Sequence, residues 1–287
     1  MKVSFSIVNL NSRSNLYNCI KVLPESIPDI AYEITVVDNG SRDQTIQMLR
    51  EHYPDVRIIK NLRNEGYTKA INLALRESVG DMIVLLNPDT IPQAGAISKM
   101  IEYMKSNSKA GICGPKVLNM DGSFQKSCRR GIARPWAVFS YFLGLSRFYP
   151  DDVRFTGYHL DHLDENMIAE VGGVSGSCMV IRREVINQIG YFDERYFAYQ
   201  EDSDYCLRAS EKGWNIIYNP DAVIYHIGGA GGSNSYPMRS IFEWHRSYYF
   251  YYHKHFAQDY PKLFNFFYSL LMFLKLILAE GKHLLNR

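Results

Sequence analysis

Two acidic stretches carry the residue types that could do chemistry. In Ile83-Val84-Leu85-Leu86-Asn87-Pro88-Asp89-Thr90, four apolar residues run into a polar tip. Such a run reads as a strand buried on both faces of a parallel sheet. Pro88 lacks an N–H and holds Asn87 extended, so the strand is expected to end there. Asn87 and Asp89 then sit at the carboxyl end of a central strand, where ligands bind in open α/β sheets. A carboxylate there can hold a divalent cation, and the cation a diphosphate. The plainer alternative is that Asp89 caps a helix starting near Pro92.

The second stretch, Gln200-Glu201-Asp202-Ser203-Asp204-Tyr205-Cys206-Leu207-Arg208, sets three carboxylates within four positions. They repel if they share a pocket, and a helix N-terminus lowers that cost. Helical spacing turns Asp204 toward Arg208 as a structural pair. Glu201 and Asp202 point elsewhere, and one of them can face a pocket as a general base. The alternative is that all three only complement a helix dipole.

Other candidates are scattered along the chain. His226 ends a short strand and precedes Ile227-Gly228-Gly229-Ala230-Gly231-Gly232-Ser233, a run able to close over a phosphate or metal. Gly176 and Ser177 lead into another strand and would let a substrate approach the backbone, although tight strand packing explains them as well. Asp38 can accept from a pyrimidine N3–H. Asn39, Asn64 and Asn72 offer donors and acceptors, or Asn39 and Asn64 only shape turns near Gly40 and Gly66. The unevenly spaced His159, Asp161, His162 and Asp164 read as a solvated loop.

The elements that must position these residues alternate. Strands are expected at 3–10, 33–37, 56–59 and 83–86, with helices at 14–23, 42–53, 67–78 and 92–107 between and after them, the first capped by Ser12 or Ser14. This is an α/β fold with a doubly wound, mostly parallel sheet and helices on both faces. The first turn, Asn9-Leu10-Asn11-Ser12-Arg13-Ser14, contains no glycine, which excludes a dinucleotide fingerprint and a Walker A loop. A nucleotide would be held by side chains over the strand ends. An irregular insertion at about 120–170 is a natural lid on the acceptor side.

With 287 residues and 46% hydrophobic content, the chain can bury a large core. A net charge of +2 gives no electrostatic reason to expect nucleic acid. Five dispersed cysteines fit a reducing compartment. The N-terminus opens into a strand pattern with no signal peptide, so a cytoplasmic location is expected. The apolar stretch 263–279, broken by Asn265, Ser269 and Lys275, falls short of a membrane span. It is expected to pack on its own domain or a second subunit, or to lie in a membrane interface flanked by lysines.

Taken together, these motifs resemble inverting glycosyltransferase family 2, with the GT-A fold. Val36-Val37-Asp38-Asn39-Gly40-Ser41 is similar to its nucleotide-base strand, and Asn61, Asn64, Gly66, Tyr67, Ala70 and Asn72 to its second donor motif. Asn87-Pro88-Asp89 stands where the family carries DxD, and Glu201-Asp202 resembles its ED motif. The resemblance implies a GT-A domain over 1–235 and a helical extension over 236–287. It implies a nucleotide-sugar site of Asn9, Asn11, Asp38, Asn39, Asn64, Gly66, Asn72, Asn87 and Asp89. It makes Asp202 the base, places Gly176, Ser177 and Glu201 on the acceptor side, and gives Mg2+ or Mn2+ to Asp89 and His226. The N-P-D-T form is similar to that of enzymes using dTDP-rhamnose, with UDP-sugar transferases as the alternative. A glycan or polyprenyl-diphosphate-linked acceptor follows, used at the inner face of the membrane. A non-catalytic sugar-nucleotide-binding protein is the other class, against which Asp89, Asp202 and His226 argue.

Overall fold

The computed structural model describes residues 1–229 and 236–285. The expected alternation is present. Strands β1 (Val3–Asn9), β2 (Tyr32–Asp38), β3 (Arg57–Lys60) and β4 (Met82–Leu86) are linked by helices α1 (Arg13–Ser26), α2 (Thr45–His52) and α3 (Tyr67–Glu77). They lie parallel in the order β3-β2-β1-β4. β4 is buried at every position, which is why its sequence does not alternate.

After β4 the expected helix near Pro92 is replaced. Thr90–Pro92 form a short strand, β5, and α4 (Ala96–Ser106) starts only after Gly95 at φ +69°. Asp89 therefore caps no helix. β6 (Ala110–Leu118) leads into the irregular segment, which holds β7 (Arg129–Arg130), α5 (Pro135–Phe142), α6 (Leu145–Phe148), α7 (Val153–Thr156), β8 (Ala169–Glu170) and β9 (Gly173–Val174). β10 (Cys178–Arg182), α8 (Arg183–Ile189), α9 (Glu201–Glu211) and β11 (Asn215–His226) follow.

β10 inserts between β4 and β6, antiparallel to both. β11 runs parallel to β6, with β5 and β8 antiparallel on it. Six strands thus share one direction: β1, β2, β3, β4, β6 and β11. The ends of β4 and β11 consequently fall on one edge of the sheet, and Thr90 pairs with His226 there. Ser12 begins α1 but its side chain makes no capping bond. α2 starts later than expected, after Gln44 turns left-handed at φ +63°.

Part of the aromatic-rich C-terminal region is core. Tyr158, Tyr196, Tyr248, Tyr251, Tyr252, Phe256 and Tyr268 pack a second cluster around α10 (Pro237–His255) and α11 (Lys262–Leu285). Asp204 bolts α10 to α9. Its Oδ2 accepts from Arg208 Nε at 2.8 Å, as the spacing predicted. Its Oδ1 accepts from His255 Nε2 at 2.8 Å and Lys254 Nζ at 2.5 Å. Burial alone would raise its pKa, but these donors outweigh burial and hold it below the usual carboxylate range.

α11 is less committed to the fold. Tyr268 and Met272 are its buried positions among the described residues, and Tyr268 stacks on Tyr252 at 3.8 Å. The sequence reading stopped the apolar stretch at 279, too short for a span. The helix instead runs 24 residues, long and apolar enough to cross a membrane by length and composition. Lys275, which seemed to interrupt it, lies between the rings of Phe142 and Trp244, 3.4 and 4.0 Å from their centroids. There burial lowers its pKa to about 8.

Candidate active site

A cavity of about 590 Å³ opens over the ends of β1 and β4, and both acidic stretches face it. Its first corner forms where β4 and β11 end together. His226 Nε2 stands 3.3 Å from Asp89 Oδ1. Gln125 sets the imidazole. Its Nε2 donates to the His226 carbonyl at 2.8 Å, so its Oε1 is left to accept from His226 Nδ1–H at 3.1 Å. With Nδ1 as the donor, Nε2 is the ring nitrogen turned to Asp89, and in the neutral ring it offers its lone pair there. One carboxylate and one imidazole suit a divalent cation that draws its other ligands from a diphosphate and water. Among the described residues no cluster of three or more His, Cys, Asp or Glu forms a fuller metal site.

The neighbouring strand ends carry a polar notch. Asp38 is fully buried, and its Oδ2 accepts from the Ser41 N–H at 3.2 Å. Asn9 is its register partner on β1. Asp38 Oδ1 and Asn9 Oδ1 are buried and have no partner among the described residues. Two adjacent orphaned acceptors ask for N–H or O–H donors, because leaving them unpaired costs stability.

The second corner is built on a strained entry to α9. Tyr199 and Gln200 are consecutive non-glycine residues at φ +68° and +60°. Such conformations persist only where the surrounding structure imposes them. They bring Glu201 and Asp202 to the cavity. Asp202 Oδ2 accepts from the Gly176 N–H at 3.0 Å and from Arg130 Nη2 at 2.6 Å. Its Oδ1 accepts from the Ser203 N–H at 2.7 Å. Glu201 Oε2 is buried and has no partner among the described residues. Burial and the Asp202 charge push its carboxyl up to about 8, so it is protonated at neutral pH. The Tyr67 hydroxyl beside them is also buried without a partner among the described residues, and burial, with both carboxylates, raises its pKa.

Residues 4–190 match the family described as glycosyl transferase family 2. The chain belongs to that family. It is 32% identical over 204 residues to an N-acetylglucosaminyl-diphospho-decaprenol L-rhamnosyltransferase of Mycobacterium tuberculosis, covering 67% of this chain and 66% of that protein. It thus spans just under two thirds of that relative's length. It is 27% identical over 238 residues to the Escherichia coli rhamnosyltransferase WbbL, covering 79% of this chain and 84% of that one. The fold is similar to that of a Pyrobaculum calidifontis mannosyltransferase solved with GDP-Man and Mn2+. That likeness has a TM-score of 0.60 at 18% identity and covers 97% of this chain and 72% of the other.

In this family 2 glycosyltransferase the matched segment holds Asp38 and Asp89 but ends before Asp202 and His226. The fold brings Asp89, Asp202 and His226 to the cavity, while Asp38 is fully buried and is not among its lining residues. Not every expected residue goes with them. Asn72 lies off the cavity: its Nδ2 donates to the Phe192 carbonyl at 2.9 Å and to Glu194 Oε1 at 3.0 Å, and its Oδ1 accepts from the Phe192 N–H at 3.0 Å. The whole amide is spent clamping α3 to the loop before α9. Gly66, at φ +92°, is required by the protein itself, since a Cβ there would stand 2.7 Å from the Phe197 carbonyl oxygen. Asn11 Oδ1 accepts from the Arg42 N–H at 2.8 Å and shapes a turn. Asn39 and Asn64 border the cavity, yet Asn39 Nδ2 donates to Asn64 Oδ1 at 3.0 Å, as the turn-shaping alternative describes. Asn87 and Ser177 line the cavity and bond to each other through Asn87 N–H and the Ser177 carbonyl at 2.9 Å. The glycine-rich run after His226 falls largely at 230–235, outside the described residues.

The sequence reading missed Arg130, Gln125 and the aromatic wall. Successive strand residues face opposite ways. Arg129 turns inward onto Tyr218 and donates to the Leu163 and Asp164 carbonyls, while Arg130 turns to the cavity. The doubled arginine was the available signal, but not which one faced the site. His159 corrects another expectation: it lines the cavity rather than a solvated loop, and burial lowers its pKa to about 4. Helix α10, placed in an extension by sequence, supplies Glu243, Trp244 and Tyr248 to the cavity.

Proposed function

We propose that this glycosyltransferase moves L-rhamnose from dTDP-L-rhamnose, with inversion, to a hydroxyl of a polyprenyl-diphosphate-linked saccharide during cell-surface polysaccharide synthesis. The observation that carries this reading is that the Asp89–His226 corner and Asp202 face one cavity from different sides. Asp202 takes the proton of the acceptor hydroxyl as that oxygen attacks the anomeric carbon from the face opposite the nucleotide. The bond to the diphosphate breaks, and its electron pair leaves with dTDP. The orphaned oxygens of Asp38 and Asn9 suit the thymine N3–H and neighbouring donors. Asp89 and His226 would hold Mg2+ or Mn2+, which when bound offsets the charge of the departing diphosphate. The N-P-D-T motif and two relatives named as rhamnosyltransferases support the choice of donor.

The site works at the cytoplasmic membrane surface in this reading. Phe267, Leu271, Leu274 and Leu278 form one exposed stripe along α11, flanked by Lys262 and Lys282. A panel of dTDP-, UDP- and GDP-sugars, read first by thermal shift and then by transfer, tests the donor. Preference for a UDP-sugar replaces dTDP-rhamnose, and no response to any nucleotide overturns catalysis. Flotation with phosphatidylglycerol vesicles tests the membrane. Loss of flotation in a Phe267→Glu, Leu271→Glu variant supports it, whereas a concentration-dependent dimer that dissociates in the same variant assigns the stripe to a second copy.

A further inference from the structure

Both oxygens of Asp202 hold donors before any acceptor arrives, and Oδ2 holds the more. Each carboxylate oxygen offers about two acceptor positions. Oδ2 has both filled, by Gly176 N–H and Arg130 Nη2. Oδ1 holds the Ser203 N–H, with the Ser203 hydroxyl at 3.4 Å. For Oδ2, the oxygen held by the cavity-lining Gly176 and Arg130, to receive the proton of an acceptor hydroxyl, it must release a donor. The Gly176 and Ser203 amides belong to the backbone and cannot withdraw without unfolding it. Arg130 is a long side chain and can.

The guanidinium is also poised for another partner. Arginine presents Nε–H and one Nη as a planar fork that fits two oxygens of one phosphate or carboxylate. Here the fork is half used. Nη2 meets Asp202 and, at 3.3 Å, the Val174 carbonyl, while the buried Nε has no partner among the described residues. The Arg130 side chain is only 12% exposed, so water does not offset that loss cheaply. In-line displacement places the base on the face opposite the leaving nucleotide. An anion reaching Arg130 beside Asp202 therefore comes with the acceptor and not with the donor. Tyr141, Phe142 and Trp244 continue the cavity wall outward from there, and Tyr141 and Phe142 are exposed at the surface.

We propose that Arg130 reads the diphosphate of the acceptor and, in doing so, unlatches the base. The acceptor phosphate takes the Nε/Nη2 fork, the guanidinium leaves Asp202 Oδ2, and Oδ2 is free to accept the hydroxyl proton. A saccharide without a phosphate leaves Arg130 on Asp202 and the base covered. This rests on the reading of Asp202 as the base and of a diphosphate-linked acceptor.

Two acceptors with one sugar test it: N-acetylglucosamine as a short-chain prenyl diphosphate, and as the neutral octyl glycoside. Transfer from dTDP-rhamnose is measured for the wild type, Arg130→Gln and Arg130→Lys, with dTDP affinity as a control on folding. The wild type is expected to prefer the diphosphate acceptor by about tenfold or more in kcat/KM, the scale of a charge-assisted contact. In Arg130→Gln that preference falls to near one, because reading and latching are lost together. Arg130→Lys, with charge but no fork, keeps part of it. An unchanged preference in Arg130→Gln overturns the proposal, as does an equal loss on both acceptors, which would make Arg130 only a support for Asp202. Wild-type transfer to neither acceptor overturns the acceptor reading and the latch with it. If Arg130→Gln fails to bind dTDP, Arg130→Lys decides: full wild-type preference there rejects the fork.

Discussion

The strand-end notch and the α9 corner of the site differ in what they leave unsatisfied among the described residues. At the strand ends, the orphaned atoms are acceptors, Asp38 Oδ1 and Asn9 Oδ1. At the start of α9, the orphaned groups include donors: a protonated Glu201, the Tyr67 hydroxyl and half of the Arg130 fork. The notch is chemically shaped for the N–H edge of a base, the α9 corner for an oxygen-rich saccharide and its phosphate. The corners also differ in backbone. The strand ends are followed by single left-handed residues, Asn11 at φ +49° and Gln44 at φ +63°, while the second corner carries two in succession, Tyr199 and Gln200. Two consecutive left-handed residues and the unpaired donors thus coincide where a proton is proposed to move.

The sharpest way to break this contrast is Asp202→Asn. Turnover is expected to fall by ~10²–10⁴ while dTDP affinity in calorimetry stays at the wild-type value. A parallel loss of affinity would mean that the corners are not separable. Asp89→Ala should give the opposite pattern, with Mn2+-supported dTDP binding weakened at least ~10-fold, since a direct ligand should cost no less than an outer-shell partner. Unchanged affinity would remove Asp89 from metal binding. A smaller effect is expected for Gln125→Leu, which frees the His226 ring: Mn2+ affinity measured with dTDP present should drop by about tenfold. No change there would show that His226 does not need a fixed tautomer.

The same contrast explains what could be read from the sequence. Asp38, Asn87 and Asp89 stand at the ends of apolar runs, so local pattern located them before any contact was known. The Asp204–Arg208 pair was legible for a similar reason, because helical spacing alone brings it together. Arg130 and Trp244 reach the cavity from β7 and α10, Gln125 reaches His226 from the loop before β7, and no local periodicity links them to Asp202 or His226. Asn72 failed in the other direction. Its position in a donor-like motif was visible, but the Phe192 and Glu194 atoms that consume its amide lie far along the chain. Residues placed by secondary structure were readable; residues placed by tertiary approach were not.

Glu201 offers the subtlest test, because it asks whether the second corner is rich in donors at all. Its carboxyl titrates at about 8 in the folded chain against an ordinary value of 4.5, owing to burial and the neighbouring Asp202. Between those two values the folded state holds a proton that the unfolded state has lost. Stability contributed at this position must therefore fall as pH rises from 4.5 to about 8, and stay low above it. Glu201→Gln keeps the shape and the donor but cannot ionise. Its melting temperature should match the wild type near pH 4.5, exceed it increasingly toward pH 8, and hold a constant lead of roughly 10 °C beyond. A lead independent of pH would mean that Glu201 is already ionised in the native protein. The second corner would then present two carboxylates to the acceptor, and Arg130 would have to neutralise both instead of latching one.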